Sequence, residues 1–232
     1  MTQTVLISLI IKDEAPFHVY PAGNLFIPVP LGQLESILKE PRQLPAKGVA
    51  LVLHPHPLGG GTMHNKVVFR AAAALNDAGL TTLRINFRGV GQSSGIHDFG
   101  KGELEDTKAG LDYLVNNFPG QHITVCGFSF GSRMGMEIGC DDERVRLLIS
   151  IGTPLNKYDF DFFEHCRKPI LFIHGERDEF GDVHALRTLV DKLSQNTQVK
   201  LVVIPDADHF FVRHLDELKT AITEWTSAQL GS

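Results

Sequence analysis

From Val49 onward the chain alternates between short apolar runs and longer amphipathic segments. The runs "VALVLH" (49–54), "TTLRINF" (81–87), "HITVCGF" (122–128), "VRLLISI" (145–151), "PILFIHG" (169–175) and "VKLVVIP" (199–205) have strand length and are nearly continuous in Val, Ile and Leu. Continuous apolar character, rather than strict alternation, is what parallel strands buried on both faces display. Helix-length segments fall between them at 64–79, 103–118, 130–140, 182–195 and 210–228. Strand and helix in regular alternation predict an α/β fold, a mostly parallel central sheet flanked by helices on both faces.

Before Val49 the pattern changes. "NLFIPVP" and "GQLESILKE" flank Pro30–Gly32, which predicts a hairpin that adds antiparallel strands at one sheet edge. "PRQLP" then forms a short connector. With no repeat, low-complexity tract or linker in view, residues 1–232 are expected to form a single domain, with 1–22 as an N-terminal extension. That extension opens "MTQTVLISLIIKD", apolar but without the positive n-region and small-residue cleavage site of a signal peptide. It is also too short to span a bilayer. It reads as a strand that could pair with its copy at a sheet edge, giving a homodimer.

Composition narrows the function classes. A net charge of −5 and the lack of any Lys/Arg-rich run argue against nucleic acid or an anionic membrane as partner. The three cysteines, Cys126, Cys140 and Cys166, are few and odd in number, which suits a reducing, cytoplasmic setting. A chain of 232 residues can bury a substantial core without metal or disulfide support.

The chemistry is concentrated in "GFSFG", residues 127–131, a G-x-S-x-G pattern between a strand run and a helix run. A serine on so sharp a turn projects its hydroxyl above the sheet, and the flanking glycines let strand and helix approach without a Cβ clash. A hydroxyl is a weak nucleophile until a base, itself oriented by a carboxylate, takes its proton. After Ser129, "LFIHGERDEFGD" places Asp178 just past one strand and "LVVIPDADHFF" places His209 just past the next. All three therefore fall on the carboxyl rim of the sheet, where open α/β sheets gather catalytic groups. Glu176, Glu179 and Asp182 compete with Asp178 for the acid; His174 and His214 compete with His209 and read instead as packed or solvent-facing.

The developing oxyanion of acyl transfer needs donors as well. The residue after the nucleophile, Phe130, supplies one N–H. The loop "HPHPLGGGTMHNK" supplies a second: Pro57 has no N–H, which leaves Leu58, with Gly59 as the alternative. His54 and His56 are expected to support that loop by hydrogen bonding. A zinc site from His54, His56 and His64 is not expected, because no cysteine or carboxylate stands at ligand spacing and HExxH is absent. "INFRGVGQSSG" misses the dinucleotide fingerprint by one residue and "GGGTMHNK" fails the P-loop pattern, so no cofactor is expected. Phe128, Tyr158, Phe180 and Phe210 are candidates for an apolar substrate pocket, suited to an ester or thioester.

Taken together, "HPHPLGGGTMHNKVV", "LRINFRGVGQSSG", "GFSFG", "HGERDE" and "DADHFF" resemble the α/β-hydrolase superfamily, and within it the small cap-less bacterial serine hydrolases related to dienelactone hydrolases. The resemblance covers the chain from about Asn24 onward. It implies Ser129 as nucleophile, Asp178 as acid, His209 as base, and a sheet of the eight-strand type whose second strand is antiparallel. Dienelactone hydrolases proper use a cysteine where this chain has Ser129, so their substrate does not carry over. Arg133 and Gly135 on the helix after the serine depart from the small or apolar residues expected there. Only about 18 residues separate the strands ending at Ile151 and starting at Pro169, too few for a cap domain.

Overall fold

The computed structural model describes residues 23–231; the expected N-terminal strand and its dimer contact lie outside them. Eight strands form one sheet: β1 (Gly23–Val29), β2 (Gly32–Lys39), β3 (Gly48–Leu53), β4 (Leu80–Ile85), β5 (Ile123–Phe128), β6 (Val145–Ile151), β7 (Ile170–Gly175) and β8 (Val199–Ile204). Their spatial order is β1-β2-β4-β3-β5-β6-β7-β8. β1 and β2 pair antiparallel across a two-residue turn at Pro30–Leu31, with Val29 opposite Gly32. β2 is antiparallel to β4 as well, and every later pairing is parallel. The expected edge hairpin and antiparallel second strand are both present.

Five α-helices cover the two faces: α1 (Lys66–Asp77), α2 (Lys101–Asn117), α3 (Phe130–Asp141), α4 (Val183–Leu193) and α5 (Leu215–Leu230). The pleat of β3 shows how the two layers divide. Val49, Leu51 and Leu53 join a core with Leu111 and Leu114 of α2, Met134 and Met136 of α3 and Leu186 of α4. Ala50 and Val52 point the other way, into a core with Val68 and Leu75 of α1 and Leu218, Ile222 and Trp225 of α5. Successive strand side chains face opposite sides, so a strand with helices on both faces has no polar alternate positions. All six residues of β3, β4, β5 and β7 are buried. β8 is only partly buried, because it is the last strand of the sheet and has a neighbour on one side only.

Local signals set the helix starts. Asn65 caps α1 by accepting the Val67 N–H at 2.9 Å, and Asp182 caps α4 by accepting the Ala185 N–H at 2.8 Å. The glycine-rich segment after β4 is a structural loop. Arg88 in it is clamped by Asp106 of α2, with Nη2 to Oδ1 and the backbone N–H to Oδ2 both at 2.8 Å. Glu35 of β2 accepts from Asn86 Nδ2 and from the Gln92 N–H.

One expected helix starts late. The pattern from Phe210 reads as continuous helix, yet α5 begins only at Leu215. Phe211 and Arg213 adopt φ of 52° and 69°, a conformation no right-handed helix can contain. Asp208 Oδ1 ties the turn by accepting the Val212 N–H at 3.0 Å. The segment 206–214 is therefore a loop, and it carries His209. Between β6 and β7 the chain makes only a 3-10 turn at Asp161–His165.

Candidate active site

β5 lies in mid-sheet between β3 and β6, and the chain leaves it through Ser129 directly into α3. Ser129 has φ 55° and ψ −119°, a strained backbone of the kind that clusters at functional sites. Surrounding bonds hold it there. Its N–H donates to the Ile151 carbonyl at 2.9 Å, and its carbonyl accepts from the Ser132 hydroxyl at 2.7 Å and the Ser132 N–H at 2.9 Å. The paired glycines have a steric cause. A Cβ on Gly127 would lie 2.2 Å from the Gly131 carbonyl oxygen, and one on Gly131 would lie 2.6 Å from the backbone oxygens of Leu53 and His54. Strand and helix meet with no room for a methyl group at either position.

The same close approach explains Gly135, where a Cβ would lie 2.8 Å from Val125 Cγ1. Arg133 points off the sheet. Its guanidinium pairs with Glu137, stands 3.7 Å from Asp159, and lies 4.7 Å from the Phe162 ring centroid.

Ser129, Asp178 and His209 come together from three loops at the carboxyl ends of β5, β7 and β8. His209 Nε2 is 2.9 Å from Ser129 Oγ, and His209 Nδ1 is 2.8 Å from Asp178 Oδ2. Asp178 Oδ1 accepts the N–H groups of Phe180 at 2.8 Å and Gly181 at 3.2 Å, which fixes the carboxylate plane. The His209 ring packs among Phe128, Phe180 and Phe210, with centroids 5.0, 4.5 and 5.2 Å away. All three side chains belong to buried residues.

Two of the competing acids are engaged elsewhere. Glu176 accepts the Asp206 N–H, and Asp182 caps α4. Of the competing bases, His214 precedes α5 with Nδ1 3.3 Å from Glu217. His174 is fully buried behind the acid loop.

The loop after β3 is knitted by its own histidines. His54 Nδ1 donates to the Pro55 carbonyl at 2.6 Å, and Nε2 accepts the Phe87 N–H at 3.0 Å. With both nitrogens committed, His54 is a neutral cross-strap. Burial pushes its pKa down to about 4, from an ordinary 6.5. The unfolded chain therefore takes up this proton near pH 6.5 and the folded chain only near pH 4, so stability should fall as pH drops through that window. The loss by pH 4.5 is expected to be about 3 kcal/mol. Urea midpoints at pH 7 and pH 4.5 measure it, and His54→Gln should flatten the difference.

His56 Nδ1 accepts the Leu58 N–H at 3.2 Å, and the Gly59 N–H donates to the His56 carbonyl at 3.0 Å. Both candidates for the donor from this loop thus have a partner within it. Phe130 opens α3, so its N–H is among the four that a helix leaves without an internal acceptor. A further pair, unmarked by any motif, stands beside them. His97 Nδ1 is 2.7 Å from the buried Glu103 carboxylate, and the His97 ring lies 4.8 Å from His56 and 5.9 Å from Phe130. Nothing in the sequence pattern links residues 56, 97 and 103; the contact exists only because the loop after β4 folds back over α3.

Of the expected pocket residues, Phe210 is 48% exposed, and Tyr158 and Phe180 are half-buried. Phe128 is a correction. It is fully buried beneath the His209 ring and offers a substrate no surface, because β5 carries it into the core. A groove of about 430 Å³ runs between residues 62–67 and residues 210–215, with Val67, Phe210 and Val212 but also His64, Lys66 and Arg213 among its walls; none of the three convergent side chains lines it. A cavity of about 510 Å³ between the 3-10 turn and α4 likewise contains none of them. Among the described residues, no group of three or more His, Cys, Asp or Glu side chains is placed to hold a metal ion.

Residues 48–230 match the family model described as "Alpha/beta hydrolase domain". The chain belongs to the α/β-hydrolase family. Within this family it is similar to an α/β serine hydrolase homologue from Coxiella burnetii, at 36% identity over 89% of this chain and 98% of that one, with a TM-score of 0.82. It is likewise similar to an α/β serine hydrolase without lid from Xanthomonas campestris, at 34% identity over 92% and 98% of the two chains, with a TM-score of 0.82. An uncharacterised protein of Rickettsia prowazekii is 41% identical over 188 residues, covering 78% of this chain and 79% of its own. This α/β-hydrolase is a hydrolase enzyme of the small cap-less group. No helix among its described residues is long and apolar enough to cross a membrane.

Proposed function

We propose that this α/β-hydrolase cleaves small-to-medium acyl esters through an acyl-enzyme on Ser129. The observation that carries the reading is the unbroken hydrogen-bond line from Ser129 Oγ through the His209 imidazole to Asp178, at 2.9 and 2.8 Å. His209 Nε2 takes the hydroxyl proton as Oγ bonds to the ester carbonyl carbon. Asp178, fixed by two backbone N–H groups, stabilises the imidazolium that forms. The proton then passes to the departing alkoxide as the ester C–O bond breaks. Water, deprotonated by His209, releases the carboxylic acid and restores Ser129.

The tetrahedral oxygen would be met by the Phe130 N–H and by the Leu58 N–H, once substrate draws the latter from the neutral His56 Nδ1; Gly59 is the alternative donor. Exposed Phe210, its ring 5.2 Å from that of His209, favours an uncharged acyl or alkyl group there. The test is turnover of p-nitrophenyl esters of increasing acyl length beside acyl-CoA thioesters, with fluorophosphonate labelling. Ester turnover and a label on Ser129 are expected. Turnover of the thioesters alone would move the substrate class to thioesters, and neither turnover nor label would end the proposal.

A further inference from the structure

His174 lies on β7 and is fully buried. Its Nε2 is 2.7 Å from the Gly181 carbonyl oxygen. A carbonyl only accepts, so the proton is on Nε2 and Nδ1 keeps a bare lone pair. That Nδ1 is buried with no hydrogen-bond partner. A bare buried acceptor is unfavourable, and a leucine or phenylalanine on this strand would avoid it. The histidine must therefore be read through the donor it places at Nε2.

That donor serves the acid loop. Nε2 is also 3.7 Å from Asp178 Oδ2, the oxygen that meets His209. Gly181 is gripped at both ends, its N–H by Asp178 Oδ1 and its carbonyl by His174. A Cβ on Gly181 would lie 2.1 Å from the Thr153 carbonyl and 2.9 Å from His174 Cε1, so the segment sits directly on the imidazole. Residues 178–181 thus form a small ring, tied at its start by the Asp178 N–H on the Gly175 carbonyl at 3.2 Å, in its middle by the Asn156 N–H on the Phe180 carbonyl at 3.0 Å, and at Gly181 by the His174 side chain.

We infer that His174 is a positioning residue: by donating Nε2–H to Gly181 it holds the Asp178 loop so that Oδ2 faces His209. This rests on the triad reading above. The groups that act on its titration are Asp178, His209 and Asp182. Burial is the largest influence and pushes the imidazole down from its ordinary value, against the opposing pull of Asp178. A neutral ring supplies a hydrogen bond and no charge, which leaves the whole Asp178 carboxylate to stabilise the His209 imidazolium.

The experiment compares His174→Gln with His174→Met in the full chain. Gln and Met have the same length and similar volume, but only Gln keeps a donor, and its oxygen replaces the lone pair of Nδ1. His174→Met should lower kcat for a p-nitrophenyl ester by roughly 10–100-fold with KM little changed, the size typical when a supporting partner is lost. Its acid limb should move to lower pH, because a displaced Asp178 stabilises the imidazolium less. His174→Gln should keep kcat within a few-fold of wild type, with the wild-type limb. Equal kcat and equal acid limbs in the two variants would overturn the inference. If His174→Met does not fold, a tenfold or greater kcat loss in folded His174→Gln would overturn it, and near-wild-type activity would support it. Failure of the triad reading is seen separately, as wild-type turnover that survives Ser129→Ala.

Discussion

Ser129→Ala is expected to lower kcat for a short p-nitrophenyl ester by roughly 10⁶-fold, leaving KM and the melting temperature nearly unchanged. The size follows from the geometry. Ser129 Oγ is 2.9 Å from His209 Nε2, and among the described residues no other hydroxyl is hydrogen-bonded to His209. The methyl group of alanine occupies the same space, and φ of 55° strains alanine about as much as serine. The variant should therefore fold normally while binding but not cleaving. Stopped-assay rates at high enzyme concentration, with mass spectrometry for the fluorophosphonate adduct, measure the effect. A residual rate above one part in a hundred, or an adduct that persists in the variant, would mean that the chemistry lies elsewhere.

Gly127→Ala should act through stability instead. Its Cβ would be 2.2 Å from the Gly131 carbonyl oxygen, 2.4 Å from the Gly131 carbonyl carbon and 2.5 Å from the Ser132 nitrogen. All three are backbone atoms, so no side chain can rotate away. Either α3 lifts off β5 or the elbow opens. α3 lies on β5 and β6 and carries Met134 and Met136 into the core, so lifting it exposes apolar surface at about 25 cal/mol per Å². A loss above about 4 kcal/mol is expected, which for a domain of this size lowers the melting temperature by roughly 8–16 °C. Thermal unfolding followed by circular dichroism measures it. A variant melting within 2 °C of wild type would show that the paired glycines answer to something other than space. Comparison with Ser129→Ala separates the two roles inside one five-residue motif, reactivity at its centre and clearance at its flanks.

The motif was legible because its physical demands are local. A strand, one residue at an unusual φ, and a helix leave clear marks within five positions. Asp178 and His209 were legible for a weaker reason, since each follows a buried strand and therefore reaches the same rim. The late start of α5 left no such mark. "HFFVRHLDEL" has helical spacing, and only the left-handed turns at Phe211 and Arg213, set by how His209 must reach Ser129, delay it. Phe128 was misplaced for a related reason. It adjoins Ser129 in sequence, but alternation along β5 turns its ring into the core.

By itself the sequence determined the layered α/β architecture, the edge hairpin and the three side chains at the centre of the site, because hydrophobic periodicity and turn chemistry act between near neighbours. Tertiary structure alone decided what supports those side chains. It brought His97 and Glu103 beside His56 and seated the loop of Asp178 on His174. Such contacts join residues that are distant along the chain or held in one loop's particular path. Each is set by how loops cross above the sheet, and no spacing between residues encodes that crossing.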